Sequence, residues 1–273
     1  MAGKLIVVGT PIGNLSDFSP RAIETLQTCD FIAAEDTRVT VKLLNHFGIK
    51  KPMVSYFEHN KMERGDIICN RIELGEVCVL VSDAGMPAIS DPGCWLHNVQ
   101  RNIPVYVVPG PTAVISALAV SGLPTGRFTF EGFLSMNKKS RREHLEEVKK
   151  ERRTMVFYEA PHKLASTLQD MLAAWGDRRI AIVREITKIH EEVIRTTLKE
   201  AVQRYSNENA KGELVLVIEG AEKEKEAQIT IEEAVQKAKT YLQDGMSASE
   251  ASKKSAQETG YKKGDIYRLL NMK

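Results

Sequence analysis

The chain has 273 residues and a mass of 30.5 kDa, a length that suits about two domains. Hydrophobic residues make up 42% and charged residues 27%, which excludes a disordered or fibrous polypeptide. A net charge of only +2 excludes a whole-protein cationic field, so any nucleic-acid surface must be a local patch.

Taken in chain order, the first 122 residues alternate strand and helix. Leu5–Val8 is a continuous apolar strand, too short for a signal-peptide core. Ser19 and Pro20 open a helix as N-cap and first residue. Phe31–Ala34 reads as a strand, Arg38–Phe47 as a helix ending before Gly48, and Met53–Ser55 as a weaker strand. Met62–Leu74 is an amphipathic helix closed by Gly75. Val77–Val81 and Val105–Val108 read as buried strands with a helix near Trp95–Arg101 between them. Between Arg101 and Arg127 there are no charges, a stretch long enough to span a bilayer. Pro104, Pro109, Gly110, Pro111 and Pro124 break it into a strand, a turn and a buried helix over Thr112–Ser121, so no membrane span is expected. Apolar runs joined by helices imply an α/β architecture with a parallel sheet.

A boundary is expected near Ser121–Pro124. Beyond it Phe128–Phe133, Thr154–Tyr158, Ile180–Arg184 and Glu213–Ile218 read as strands of a mixed sheet, with helices over Ser140–Lys150, Lys163–Ala174 and Thr197–Tyr205. Ala221–Gln228 is a charged linker. Helices over Ile231–Gln243, Ala248–Thr259 and Lys263–Leu270 close the chain, punctuated by Gly245 and Gly260. The last two, with Ile266 and Leu269/Leu270 facing inward, read equally as a helix-turn-helix or as a packing cap. The expected domains are therefore 1–122, 123–220 and 229–273. Cys29, Cys69, Cys78 and Cys94 form no C-x-x-C pair, which argues against a disulfide framework and structural zinc and suits a reducing cytosol.

Chemistry-bearing residues gather at strand ends. Val8–Asn14 (VGTPIGN), Val81–Gly93 (VSDAGMPAISDPG) and Pro109–Thr112 (PGPT) follow the first, fourth and fifth strands. In open parallel sheets, ligands sit at those carboxyl ends. The first loop is not G-x-G-x-x-G and no G-K-[ST] follows, which weakens dinucleotide and triphosphate readings. Ala34–Arg38 (AEDTR) offers Glu35, Asp36 and Arg38 for base chemistry or substrate contact, with helix capping by Asp36 or Thr37 as the alternative. Phe157–His162 (FYEAPH) brings Glu159 and His162 toward an expected cleft. His190–Ile194 is not H-E-x-x-H, and there is no G-x-S-x-G elbow.

These residues together resemble the tetrapyrrole methylase superfamily, and within it the branch acting on small-subunit ribosomal RNA. The match is carried by VGTPIGNL (8–15), AEDTR (34–38), SYFEHN (55–60), LVSDAGMPAISDPG (80–93), VPGPTA (108–113), SGLP (121–124), FTFEGFL (128–134), FYEAPH (157–162) and REITKIHEE (184–192). The resemblance implies a two-domain tetrapyrrole-methylase-like α/β fold with a helix-turn-helix-like extension, and a cytoplasmic homodimer. It also implies 2′-O-ribose methylation of a cytidine in the decoding centre of 16S ribosomal RNA, with S-adenosylmethionine held between two α/β units. Donor contacts carry over to Ile12, Gly13, Ala84, Gly85, Met86, Ile89, Thr112, Ala113, Glu159 and Ile186. Met86 and Ser135-Met136 depart from the branch's usual Thr and Pro.

Catalytic candidates are Glu35, Asp36 and Arg38, with His59 and Lys188 in reserve. Leu134–Arg153 holds eight Lys/Arg against four Glu, and Ser247–Lys273 six against three acids. Lys138, Lys139, Arg141, Arg142, Lys262 and Lys263 are the expected RNA contacts, more firmly in a Lys138–Arg142 loop, with plain solvated helix faces as the alternative. Two other functions compete: C-methylation of a tetrapyrrole precursor, and DNA binding by a ligand-sensing regulator.

Overall fold

The computed structural model describes residues 3–57, 60–90, 101–223 and 230–272. The chain divides into two compact units, Met1–Ala221 and Glu222–Lys273. The larger holds two five-stranded sheets.

The first sheet is built from β1 (Lys4–Val8), β2 (Phe31–Ala34), β3 (Met53–Ser55), β4 (Val77–Val81) and β5 (Val105–Val108), in the order β3-β2-β4-β1-β5. Every pairing is parallel. Side-chain alternation splits the strands between two cores. Val8, Ile32, Ala34, Val79 and Val81 pack with Leu26 of α1 (Pro20–Thr28) and Leu44 of α2 (Thr37–His46). Leu5, Phe31, Ala33, Cys78 and Leu80 pack with Ile68, Cys69 and Ile72 of α3 (Lys61–Glu73). Ser19 caps α1 by accepting the Ala22 N–H, and Pro20 is its first residue, as the sequence predicts.

β5 departs from expectation. It is the edge strand, and only Val108 is buried; Tyr106 and Val107 are more than half exposed. An edge strand has one neighbour, so an apolar run there does not guarantee burial. The helix expected near Trp95–Arg101 lies, but for Arg101, outside the described residues.

The helix α4 (Ala113–Val120), capped by Thr112, follows β5 but packs on the second sheet. Its Val114, Ala117 and Leu118 meet Val156, Ala181, Val183, Val215 and Val217. That sheet has the order β6-β7-β10-β8-β9. It comprises β6 (Phe128–Phe133), β7 (Thr154–Glu159), β8 (Arg179–Arg184), β9 (Glu192–Thr197) and β10 (Leu214–Ile218). β6 and β7 run parallel and the other pairs antiparallel, so the sheet is mixed as expected. β9 was not foreseen. As an edge strand with no fully buried residue, it carries no apolar run to read.

The other face packs under α5 (Lys138–Glu147), α6 (Leu164–Trp175) and α7 (Leu198–Tyr205), around Phe157, Leu164, Leu168, Met171 and Ile182. α5 starts two residues earlier than predicted because the Asn137 carboxamide accepts the Lys139 and Ser140 N–H groups. Lys138–Arg142 is thus a first helical turn rather than a loop.

The smaller unit contains α8 (Ile231–Gln243), α9 (Ala248–Thr259) and α10 (Lys263–Asn271). Capping boxes at Thr230/Glu233 and Ser247/Glu250 start the first two. Small residues let them approach: Ser255 Oγ donates to the Ala234 carbonyl at 2.6 Å, beside buried Ala238, Ala251 and Ser252. Gly260, left-handed at φ +77°, ends α9, and three residues later α10 begins. Ile266 faces inward as expected; Leu269 instead is exposed. Residues 224–229 of the expected linker lie outside the described residues.

Candidate functional site

The turns after β1, β4 and β5 converge at the carboxyl edge of the first sheet. Thr10 and Gly85 exchange two backbone hydrogen bonds, Thr10 N–H to Gly85 O at 2.9 Å and Gly85 N–H to Thr10 O at 3.1 Å. The Thr10 hydroxyl donates to the Ser82 carbonyl at 3.2 Å. The Gly9 N–H reaches the Val108 carbonyl, and a Cβ on Gly9 would lie 2.7 Å from the Gly110 Cα and 2.6 Å from the Met86 Sδ. Only glycine permits that approach. Gly85 adopts φ +83°, and a Cβ there would press on Ile12 at 3.3 Å.

These turns and one face of the second sheet enclose a cavity of about 740 Å³, within the range of small-molecule sites. Of the expected donor contacts, Ile12, Ala84, Gly85, Met86, Ile89, Thr112, Ala113, Glu159 and Ile186 line it. Gly13 does not. It is exposed beside the loop after β8, where a Cβ would meet Lys188 Cγ at 2.6 Å and Thr187 Oγ1 at 2.8 Å. Met86 therefore meets the cavity while its sulfur packs on Gly9, so the departure from Thr is accommodated by a glycine.

An aromatic wall of Phe128, Phe130, Phe133 and Tyr158, absent from the expected contacts, also lines the cavity. Simple alternation would put Phe128 and Phe130 on one face and Phe133 on the other. The register shifts between Phe130 and Gly132, and Gly132 takes φ +65°, so all three line the cavity. Phe130 and Phe133 pack on Tyr158 with ring centroids 5.0 and 5.3 Å away. Aromatic residues at 128, 130, 133 and 158 were the signal; within apolar strands they read as core.

Glu159 is the charged group of this wall that is most removed from water, 3% exposed. It accepts the Ala160 N–H at 2.7 Å and the Thr167 hydroxyl at 2.5 Å, with no cation paired to it among the described residues. His162 sits in the short 3₁₀ turn Pro161–Lys163 and does not line the cavity.

Glu35, Asp36 and Arg38 stand outside the cavity, tied to it through Asp83, the chain neighbour of Ala84. The Asp36 N–H donates to Asp83 Oδ1 at 3.1 Å, and the Asp83 N–H to Glu35 Oε2 at 3.3 Å. Asp36 caps α2 and holds the Arg38 guanidinium at 2.7 Å. That hydrogen bond lowers the Asp36 pKa to about 2, while burial pushes the Asp83 carboxyl up. Lys188 is held between Glu185 at 2.9 Å and Glu213 at 3.1 Å. His59 lies outside the described residues.

Of the basic candidates, Lys138, Lys139 and Arg142 are exposed on α5. Arg141 is not available in the same way: it is 11% exposed and bonded to Asp170 at 2.7 Å. Lys262 is the N-cap position of α10, and Lys263 Nζ donates to Ser249 Oγ at 2.9 Å. The two units' basic residues are thus exposed independently.

Donor-sized volume, glycine-held turns and an apolar, aromatic wall fit a nucleoside-bearing sulfonium. The aromatic faces suit a cation or a base, and Ala84, Gly85 and Met86 line the cavity opposite them.

Comparison with known proteins agrees. The family Tetrapyrrole (Corrin/Porphyrin) Methylases matches residues 4–202. A protein of Halalkalibacterium halodurans named "Ribosomal RNA small subunit methyltransferase I" is 47% identical over 98% of this chain and 95% of its own length. One of the same name from Bacillus subtilis is 43% identical over 99% and 95%. Among solved structures, the methyltransferase CobJ superposes with a TM-score of 0.60 at 18% identity, covering 80% of this chain and 95% of that one. Uroporphyrin-III C-methyltransferase from Thermus thermophilus, complexed with S-adenosylhomocysteine, gives 0.54 at 19% identity, over 79% and 97%.

Proposed function

Because the chain belongs to the tetrapyrrole methylase family, we propose that it methylates the 2′-hydroxyl of a cytidine in the decoding centre of small-subunit (16S) ribosomal RNA. Membership makes it a methylase, and S-adenosylmethionine is its methyl donor. The donor supplies an electrophilic methyl group on a positively charged sulfur. The observation that carries the reading is the convergence of three strand-end turns on one cavity, in a chain whose relatives bear the name of a ribosomal RNA methyltransferase.

Ile12, Ala84–Met86, Thr112, Ala113 and Ile186 hold the donor, and the Phe130/Tyr158 wall excludes water from it. Positioning of the two reactants supplies much of the acceleration in such an in-line displacement. An apolar wall also favours a transition state in which the sulfonium charge disperses. Glu35, Asp36 and Arg38 belong to the acceptor side. The Glu35 and Asp83 carboxylates fix the turn after β2 against that after β4, the Asp36 carboxylate orients Arg38, and the exposed Arg38 meets the phosphate backbone. Lys138, Lys139 and Arg142 on α5, with Lys262 and Lys263 in the smaller unit, add phosphate contacts. Arg141 braces α5 through Asp170.

A cytoplasmic homodimer is part of the same proposal. The exposed apolar edge strand β5 supports an interface between copies, to be checked by light scattering. No helix among the described residues is long and apolar enough to cross a membrane.

The test is transfer from labelled S-adenosylmethionine to purified small ribosomal subunits and to naked 16S RNA, followed by digestion to nucleosides. Label in 2′-O-methylcytidine is expected. Label on a base, or transfer only to a tetrapyrrole precursor, would overturn the reading.

A further inference from the structure

One ring of the aromatic wall differs from the others. Phe128, Phe130 and Tyr158 are half-buried, and Val183 and Val215 of the same wall are buried. Phe133 lines the same cavity yet is 57% exposed, so it stands where the cavity opens. No partition separates it from the donor-holding turns, because Phe133, Ala84, Met86 and Thr112 line one continuous space.

Local structure fixes that placement. The bulge at Gly132 turns Phe133 to the cavity side, while the next residue, Leu134, is buried in the core beneath α5 and α6. Tyr158 supports the ring from one side, with centroids 5.3 Å apart. The chain that follows is braced. Arg141 donates to the Ser135 carbonyl at 3.4 Å and to Asp170 at 2.7 Å, and the Asn137 N–H donates to Ser135 Oγ at 3.1 Å. An exposed ring on a braced segment is pre-organised, and a flat partner that binds it orders little else.

The neighbouring charge identifies the partner. Lys138 and Lys139 are exposed on the first turn of α5. Lys138 follows Phe133 closely in the chain, which keeps their Cα atoms within about 18 Å of each other. A flat apolar ring beside exposed ammonium groups grips a single-stranded nucleotide, with the base on the ring and the phosphates on the lysines.

We propose that Phe133 is the platform on which the base of the acceptor nucleotide stacks, with Lys138 and Lys139 on the adjoining phosphates. The inference rests on the function proposed above and names the residue that seats its acceptor. The nucleotide enters the same cavity as the donor, so no wall stands between its ribose and the methyl group. Phe130 and Tyr158 stay with the donor, and Phe133 alone of the four rings serves the RNA.

The test uses the full chain and purified small ribosomal subunits, with single-turnover transfer from labelled S-adenosylmethionine. Phe133→Ala is expected to raise the subunit concentration for half-maximal rate about tenfold or more, about 1.4 kcal/mol, as the loss of a base–aromatic stack does. Its affinity for S-adenosylhomocysteine, by calorimetry, should stay within about twofold, about 0.4 kcal/mol, which also shows that the variant folds. Phe133→Trp should recover most of the loss. Phe133→Leu, apolar but without a π face, should not. The slope of log affinity against log salt should be unchanged in Phe133→Ala, because the ring releases no counterions, and shallower in Lys139→Ala. A half-maximal concentration within about threefold of the unaltered protein, about 0.6 kcal/mol, overturns the platform. Full recovery by Phe133→Leu, or an equal loss of S-adenosylhomocysteine affinity, overturns it as well. The functional reading fails separately. If the label lies outside 2′-O-methylcytidine, that reading falls, and the ranking of the Trp, Leu and Ala variants still decides the platform. If the unaltered protein labels no RNA, fluorescence decides it: 16S RNA should quench the emission that Phe133→Trp adds to the protein, and unquenched emission overturns the stack.

Discussion

The two sheets of the larger unit contribute to the donor cavity in different ways. The parallel sheet gives its edge: the turns containing Gly9, Gly85 and Gly110, where backbone geometry decides what fits. The mixed sheet gives its face: Phe128, Phe130, Tyr158, Val183 and Val215, where side-chain volume decides. One region is limited by conformation and the other by packing. Substitutions in the first should act as all-or-none and in the second by degrees.

Gly85→Asp sharpens that contrast most. A side chain at φ +83°, with its Cβ 3.3 Å from Ile12 and 3.5 Å from the Pro111 carbonyl, strains the turn and fills the cavity mouth. Calorimetry should find S-adenosylhomocysteine binding weakened by more than about 100-fold, about 2.7 kcal/mol. Unchanged affinity would break the edge half of the comparison. Phe130→Ala removes one ring from the face and should weaken the same binding about tenfold, about 1.4 kcal/mol. A loss as complete as that of Gly85→Asp would show that face and edge are not different in kind.

Removing residues 230–273 should lower affinity for small-subunit RNA, most visibly at low salt, and leave donor affinity unchanged. Equal RNA affinity would make the three helices a cap alone. The smallest effect concerns the buried thiols. Burial raises Cys29 to about 11 and pushes Cys78 and Cys69 up as well. The thiolate is the reactive form, so alkylation at pH 8 should spare all three until the protein unfolds. For Cys29 the thiolate fraction there is about one in a thousand. Rapid modification of Cys69 or Cys78 in the native protein, read by peptide mass spectrometry, would contradict the packing of the parallel sheet.

The edge of the parallel sheet was legible in the sequence because three glycine- and proline-bearing loops follow parallel strands at the same sheet edge, although each alone reads as a plain turn. Gly9, Gly85 and Gly110 stand where those turns meet, and Ser19-Pro20 marks the first helix start. The face was not legible. Phe130 and Tyr158 alternate like core residues, and nothing in the residue order announces the bulge at Gly132 that brings Phe133 alongside them. Burial at edges was misjudged for the same reason: Tyr106 and Val107 have the composition of a central strand and the position of an outer one. Gly13 and Arg141 show a third limit. Each has the right type for its expected role, but one faces the Thr187–Lys188 loop and not the cavity, and the other is bonded to Asp170. Tertiary partners of that kind come from distant segments.

The central claim is that the turns after β1, β4 and β5, with the face carrying Phe130 and Tyr158, form one donor site. A crystal structure of the chain with S-adenosylhomocysteine tests it most directly. The account predicts the ligand in contact with Ile12, Met86, Thr112 and Ile186, its base against the aromatic wall. Ligand bound elsewhere, with that cavity filled by solvent, would contradict it.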